Sequence, residues 1–478
     1  QLFSSIKQET LTTTEPDEEV EDFSAANDTD DITPDSDNGI VDHIMVGNKD
    51  DLIYDELSGF FYSYDKDTGV WKKMLEQTFK KKLIGKLDVL VKVGLLKKYN
   101  SNTVKSIFEL SKAKFTRFTK DCNQSIFDGN RSNIPFTNGK YDTISASFKP
   151  GLKSEDLFLS RLNFDWNASA KCPKFIQWLD FAVGKELTPL IQAFSRAILV
   201  GYTQHEKFCH LIGAGGSGKS TLQQVFIALA GYQGTHTSDL ETLETNRFEA
   251  HALIGKRLLV LTDEAAFSKR LDMLKKLTSA TDLLRAEQKY SKNTHNFKPH
   301  LLVTIASNQN ISSSDLTSGL ERRRLTIPMN NVVKAENRRE LISVHHDHIE
   351  GEFADEMSGI VQWAMGMSEQ SMKEMLLNPQ KFCPSLHISN LQALAINNPI
   401  CDFFDECVVY SPKSSVNIGS GAAKATVDDQ ERGLYCKDAY VYLYNNYFNW
   451  CKKNGYQILK KPQFIEKLLE TANNILHL

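Results

Sequence analysis

Gly213 to Ser220 read Gly-Ala-Gly-Gly-Ser-Gly-Lys-Ser, and Thr221 follows. The run stands between a short apolar stretch, Phe208 to Ile212, and a second apolar stretch with helical spacing that opens at Thr221. Glycines at Gly213, Gly215, Gly216 and Gly218, with Ala214 and Ser217 between them, let the chain curl so that successive backbone N–H groups point inward at an anion. A helix starting right after the curl adds the positive end of its dipole. Lys219 is placed to reach the β- and γ-phosphates of a nucleoside triphosphate, and the Ser220 hydroxyl to sit on Mg²⁺. A glycine-rich turn before a helix needs neither the lysine nor the hydroxyl, so the order strand, loop, helix points to triphosphate binding.

Further residues have types that would complete such a site. Leu258 to Leu261 is a continuous apolar run ending near Asp263-Glu264. At the end of a buried parallel strand, the first carboxylate can hold Mg²⁺ and the second can polarise an attacking water. Another apolar run, Leu301 to Ile305, stops at Ser307-Asn308. Asn308 there could hydrogen-bond the attacking water, although asparagine is also an ordinary turn residue. Arg322, Arg323 and Arg324 precede the strand-like Leu325–Pro328. A permanently charged guanidinium forks onto phosphate oxygens, so these arginines read either as a finger toward a phosphate or as a DNA-facing or solvated cluster. His345, His346, Asp347 and His348 put two histidines at a spacing that could share a helical face, but no further ligand set accompanies them, and a metal is not assigned there.

These groups need elements to position them. Gly59 to Lys73 predicts a β-hairpin around Asp67-Thr68-Gly69. Lys72 to Lys120 carries 14 Lys/Arg against three acids, with leucines and valines at helical spacing; this is a solvated helical face or a basic surface for nucleic-acid phosphates. Ile134 to Leu152 predicts strand, Asn138-Gly139 turn, strand. Pro173 can open a helix, and Thr188 to Tyr202 predicts another that runs into the glycine-rich loop. Beyond the loop's helix a polar linker is expected before Leu258. Leu271 to Asp282 predicts a helix, and Leu283 to Gln309 two strands joined by a polar tip around Lys292–Thr294. The last 80 or so residues predict two or three short helices with a basic turn at Lys460-Lys461, either a winged-helix module or a plain helical cap.

The chain has 478 residues and 41% hydrophobic content, enough for about three domains with real cores. No apolar run approaches the ~20 residues of a membrane span, and no signal peptide is visible. It opens on Gln1 rather than Met, as expected of a fragment or processed product. Eight scattered cysteines without a CxxC pair speak for free thiols in a reducing compartment rather than structural zinc. Residues 1–40 hold 12 acids and one lysine, which leaves 48 acids and 55 bases, net +7, in the remainder. An overall charge of −4 therefore does not argue against nucleic acid. Such an acidic, Ser/Thr-rich opening is expected to be disordered, as a linker or a DNA-mimicking tail.

FTNGKYD (Phe136–Asp142), NASAKCPKF (Asn167–Phe175), GAGGSGKST, GKRLLVLTDEA, LKKLTSATD, NFKPHLLVTIASN and ERRRLTIP occur in this order. As a set they resemble superfamily 3 helicases, and more narrowly the helicase half of phage, plasmid and poxvirus-type primase-helicases, from about Tyr54 to the C-terminus. The resemblance implies an α/β, AAA+-like P-loop ATPase core over 171–345, after a mostly helical N-terminal domain (46–170) and a disordered acidic linker (1–45). A helical segment (346–395) and a small winged-helix-like domain (396–478) would follow. It implies ATP with Mg²⁺, a homo-oligomeric and usually hexameric ring, and 3′→5′ movement on single-stranded DNA at a fork, in a bacterial host cytoplasm or at a viral replication site. By position, Lys219 and Ser220 belong to Walker A, Asp263 and Glu264 to Walker B, and Asn308 is sensor 1. Arg322 or Arg323 is then the finger reaching a neighbour's ATP, and Lys289 and Lys292 lie on a DNA-gripping hairpin. Two departures are present: Ser279-Ala280 replaces the usual Gly-Gly, and AEQKY (Ala286–Tyr290) keeps only Lys289 of the usual basic pair. No primase active site is evident; if the parent protein primes, that domain is expected upstream of Gln1.

Two other classes fit parts of this pattern. One is an origin-binding or loader ATPase that remodels DNA without processive unwinding. The other is a small-molecule kinase, which has no need of the arginine cluster or the basic hairpin.

Overall fold

The computed structural model describes residues 36–48, 50–117, 119, 121–264, 271–287, 294–309, 311, 320, 322–386, 399–409, 411, 414–419, 421 and 423–474. It divides into two compact units, Gln1–Asp55, Gly59–Tyr64 and Lys72–Arg117 forming the first, and Glu56–Ser58, Asp65–Trp71 and Phe118–Leu478 the second.

In the first unit, α1 (Asp37–Asn48) precedes strands β1 (Leu52–Asp55), β2 (Phe60–Asp65) and β3 (Val70–Met74), which form a three-stranded sheet, and helices α2 (Glu76–Lys92) and α3 (Ser101–Phe115). Leucines at Leu83, Leu87 and Leu90 put one face of α2 into a core with Phe61, Phe79 and Phe108, while its lysines stay outside. The acidic opening does not remain irregular as far as residue 45. Ile40, Val41 and Ile44 recur at helical spacing and are buried in that same core, and Lys114 pairs with Asp42; this local apolar stripe offsets the cost of ordering the helix.

The second unit opens with an antiparallel sheet, β4 (Asn133–Phe136), β5 (Gly139–Asp142) and β6 (Ser147–Pro150), followed by helices α4 (Pro173–Val183) and α5 (Thr188–Val200). Then come β7 (Phe208–Ile212), α6 (Lys219–Ala230), β8 (Thr235–Ser238), the short helices α7 (Leu240–Thr245) and α8 (Glu249–Ala252), and β9 (Leu258–Glu264). After α9 (Asp272–Leu277) follow β10 (Leu284–Glu287), β11 (Thr294–Phe297), β12 (Leu302–Ser307), β13 (Arg324–Pro328), β14 (Ser343–Val344) and β15 (Ile349–Glu350).

Five strands make one parallel sheet in the order β13-β7-β12-β9-β8, which numbers 5-1-4-3-2 along the chain. Its side chains alternate between two cores, as a pleated strand requires. Leu258 and Val260 join α5, α6 and helix Met357–Met365 on one face, and Leu259 and Leu261 join α7, α8 and α9 on the other. β7 lies between β12 and β13, so the chain leaving its C-terminal end enters the crevice where strand order reverses, the usual ligand position of open parallel sheets.

Three expectations about elements need correction. The linker after α6 contains β8, an edge strand whose polar THTS carries no apolar signature. Leu301–Ile305 is not the partner of Leu284–Glu287. Thr294–Phe297 pairs with it instead, and after Pro299, which cannot donate to a ladder, the chain leaves the hairpin and enters the core sheet as β12. His345–His348 form the turn of the β14–β15 hairpin, not a helix.

Near the C-terminus, helices Pro399–Cys407, Leu443–Asn454 and Lys461–Asn474 pack around Phe403, Tyr447, Trp450 and Phe464. Among the described residues this region has one antiparallel bridge, Lys424 to Cys436, and no strand that would form a wing. All eight cysteines are free thiols. No described helix is long and apolar enough to cross a membrane.

Candidate nucleotide-binding site

The loop Gly213–Gly218 is held on both sides by its neighbours. The Gly213 N–H donates to the Ser307 carbonyl (3.2 Å), the Met329 N–H to the Ile212 carbonyl (2.7 Å) and the Val333 N–H to the Gly216 carbonyl (3.0 Å). Gly216 and Gly218 have φ of +85° and +96°, a region closed to most side chains. At Gly213 the reason is space, since a Cβ there would come within 2.1 Å of the Met329 carbonyl oxygen. α6 starts at Lys219, directly after the loop, so its first-turn amides lack intrahelical acceptors and face the curl.

Lys219 is 7% exposed. Its Nζ donates to the carbonyls of Gly213 (2.6 Å) and Ala214 (3.0 Å) and to Asn308 Oδ1 (3.1 Å). The structure therefore brings Asn308, at the end of β12, onto the loop lysine. Behind Asn308, the buried Ser307 Oγ meets His210 Nε2 at 2.7 Å. Burial, and then the nearby Arg324 charge, hold the His210 pKa well below the usual range, so this imidazole is neutral. The Ser217 hydroxyl is buried with no hydrogen-bond partner among the described residues. Ser220 is exposed at the loop mouth and Thr221 half-buried.

β9 ends beside this point: Glu264 pairs with Ser307 across the sheet, and Gln223 on α6 donates to the Leu261 carbonyl (3.1 Å). The backbone thus carries Asp263 and Glu264 to the edge where the loop sits; their side chains lie outside the described residues. Lys289 and Lys292 lie outside them as well, in the tip between β10 and β11.

The loop opens into a cleft of about 770 Å³. Among the described residues lining it, the charged ones are Lys174, Lys219, Arg338, Arg339 and Glu352, the last paired with Arg339 at 3.0 Å. A Cβ on Gly216 would come within 2.4 Å of the Arg338 guanidinium, which therefore lies against the loop. Trp178, Phe181 and Phe353 also line it; Trp178 and Phe353 meet edge-to-face at 5.6 Å. A Cβ on Gly218 would come within 3.0 Å of Trp178, so this ring lies against the loop, and a cleft lined by both cations and aromatic faces suits a ligand with anionic and planar parts. Arg338, Arg339 and Trp178 are absent from the sequence-based expectations. The Arg338-Arg339 pair after the last core strand was a visible signal, whereas nothing local marks Trp178.

The three arginines at the start of β13, Arg322 to Arg324, separate cleanly. Arg324 is 2% exposed and donates to the Ile311 carbonyl (3.1 Å). Arg323 is tied to its own chain, donating to the Lys275 carbonyl and Thr278 Oγ1 and lying 3.7 Å from Glu206. Arg322 is exposed. Lys207 donates to its carbonyl, and burial followed by the Arg322 charge lowers the Lys207 pKa. Because Arg324 pairs with Phe208 and Pro328 with Ile212, Arg322 lies at the sheet edge opposite the loop. β13 alone separates the two edges by roughly 13 Å at ~3.3 Å per residue, so Arg322 does not serve its own chain's loop.

Residues 39–184 match the family described as D5 N terminal like, and residues 211–324 match one described as a family of unknown function, DUF5906. Over 168 residues the chain is 27% identical to an uncharacterized mitochondrial protein, ymf20, of Marchantia polymorpha, covering 35% of this chain and 96% of that protein. It is similar to an apo A-form structure of the NrS-1 C-terminal region at 12% identity and a TM-score of 0.43, covering 79% of this chain and 84% of that one. A second apo structure of that region gives 13% identity and a TM-score of 0.42, covering 80% and 84%.

Proposed function

We propose that the chain is an ATP-dependent DNA helicase of the superfamily 3 kind, the motor part of a primase-helicase. It works as a homo-oligomeric, hexameric ring moving 3′→5′ on single-stranded DNA. The observation that carries this reading is the loop at the switch point of a 5-1-4-3-2 parallel sheet, with Lys219 at the head of α6 and Asn308 at the end of β12 converging on it. Further support comes from the matched D5 N-terminal-like and DUF5906 segments, which are typical of phage and viral primase-helicase proteins.

The residues fit ATP and Mg²⁺. The loop's two positive-φ glycines and the buried Ser217 hydroxyl, unpartnered among the described residues, make a polar cradle, and among the described lining residues cations outnumber acids. Mg²⁺, when bound, would offset charge on the phosphates, with Ser220 and Asp263 as its protein ligands. Lys219 exchanges its loop carbonyls for phosphate oxygens. Arg338 holds the phosphates from the cleft side, and Trp178 and Phe353 offer aromatic faces to the base. Glu264 would polarise the attacking water, Asn308 would orient it, and Arg322 would complete the site of a neighbouring subunit.

The test is ATP hydrolysis with and without single-stranded DNA, together with unwinding of a 3′-tailed duplex. Stimulated hydrolysis and unwinding are expected, both lost in Lys219→Ala with the far-ultraviolet circular dichroism unchanged. DNA binding with hydrolysis but no unwinding would make the chain a loader or origin-binding ATPase instead.

A further inference from the structure

The hairpin β14–β15 carries a second constellation, 343–350, that the nucleotide site does not use. Ser343 pairs with Glu350 and Val344 with Ile349, and the His345 N–H donates to the His348 carbonyl (2.9 Å), closing a tight turn. In a two-stranded ribbon, alternate residues share a face. Val344 and Ile349 pack on the main core, and the Val344 N–H donates to Gln224 of α6 (3.0 Å). The register thus sends His345, His348 and Glu350 together to the outer face.

There the ligand atoms converge. His348 Nε2 lies 3.0 Å from Glu350 Oε1 and His345 Nε2 3.6 Å from Glu350 Oε2. One ligand atom from each of the three residues lies within 4.8 Å of the others. A tetrahedral ion with bonds of ~2.0–2.1 Å separates its ligands by about 3.3 Å, so ligation takes shifts of up to about 1.5 Å in these exposed side chains and a tilt of the His345 and His348 rings, which stack at 4.6 Å with 19° between their planes, so that both Nε2 lone pairs meet the ion. His348 Nδ1 is hydrogen-bonded to Asp347 Oδ1 at 2.7 Å, the carboxylate–histidine arrangement that leaves Nε2 free to ligate and raises its basicity.

We propose that His345, His348 and Glu350 form a binding site for a divalent first-row transition metal of the Zn²⁺ class, with Asp347 as positioning residue and one coordination position open to water. Two imidazoles and a carboxylate suit Zn²⁺ rather than Mg²⁺, which prefers oxygen ligands, so the two metals sort between this site and the nucleotide cleft. Both stems of the hairpin run into that cleft's wall, through Arg339 and Leu341 on one side and Glu352 and Phe353 on the other. The metal therefore clips the tip of an element whose stems line the cleft.

The test uses the untagged full chain in excess Mg²⁺, titrated with ZnSO₄ by calorimetry and with CoCl₂ by visible absorption. One site per chain with a tetrahedral-type Co²⁺ spectrum is expected. It should weaken at least tenfold in His345→Ala, His348→Ala and Glu350→Gln, and about tenfold in Asp347→Asn. These side chains are exposed, so metal-free melting temperatures should match the parent's. The chain's other histidines and cysteines make the difference between proteins the deciding quantity. The same stoichiometry and spectrum in parent and His345→Ala/His348→Ala double variant, or no tight Zn²⁺ binding by the parent, would overturn the site.

Discussion

Three consecutive arginines have three environments, and their substitutions should separate accordingly. Arg323→Ala removes donors to the Lys275 carbonyl and Thr278 and should lower stability by about 1–3 kcal/mol in urea unfolding. Arg322 is exposed and makes no such side-chain bonds among the described residues, so Arg322→Ala should leave the unfolding curve unchanged while reducing ATP hydrolysis ~10³-fold, the scale of a finger arginine. Mixed one-to-one with Lys219→Ala and allowed to exchange subunits, Arg322→Ala should regain activity through interfaces pairing an intact loop with an intact arginine. Activity no higher than either variant alone, in demonstrably mixed oligomers, would exclude a finger in trans. A second residue-scale prediction concerns His205, whose Nδ1 accepts the Lys207 N–H at 2.9 Å. Burial first, and the Lys207 charge second, push its pKa down to about 3. The unfolded chain takes up a proton near pH 6.5 that the native imidazole refuses. This contribution is thus fully present above pH ~6.5 and lost as pH falls from there toward 3, at about 1.4 kcal/mol per pH unit. His205→Asn, which keeps an acceptor, should flatten that part of the stability–pH slope; an unchanged slope would clear His205.

Elements explain why the substitutions that matter include ones to small residues. The loop is clamped between β12 and β13, and a Cβ at Gly213 would meet the Met329 carbonyl at 2.1 Å. Gly213→Ala should therefore push β13 away from β7, lower the melting temperature and weaken nucleotide binding together. Gly215→Ala, with open space around the added carbon, should do neither, as thermal unfolding and titration with a fluorescent ATP analogue would show. The loop itself was legible in the sequence, because backbone conformation there demands glycine and chemistry demands lysine and a hydroxyl. β7 and the start of β9 were equally plain, since a central parallel strand is buried on both faces. Illegible were elements whose reasons are not local. β8 is polar because it is an edge strand, and β11 was masked by the longer apolar run of β12 beyond Pro299. Glu350 joins His345 and His348 only because a hairpin register folds it back, a pairing that helical spacing misses. Arg338 and Trp178 reach the cleft through tertiary packing, from opposite sides of the loop in the chain.

Charge is a property of the whole molecule, and it is unevenly spread. Residues 1–36 contain 11 acids and one lysine. Because α1 begins at Asp37 and packs into a core, a clean truncation stops before it. Deleting 1–36 should tighten single-stranded DNA binding at low salt, with the gain vanishing as salt rises. Fluorescence anisotropy across a salt series reads this directly, and equal affinities at low salt would show the segment to be electrostatically passive. The positions of the loop and Arg322 on the core sheet have one more consequence. They occupy opposite ends of the same parallel strands, so the sheet has a donor edge and an acceptor edge. If Arg322 serves a neighbouring loop, a two-fold pair would leave at least one such edge unmatched or force both copies to meet at the same end. Only head-to-tail addition satisfies every copy, and only closure satisfies the last. An unclosed chain of subunits always carries one loop without its arginine, so activity per subunit should climb with the number of copies joined and level off when the ends meet.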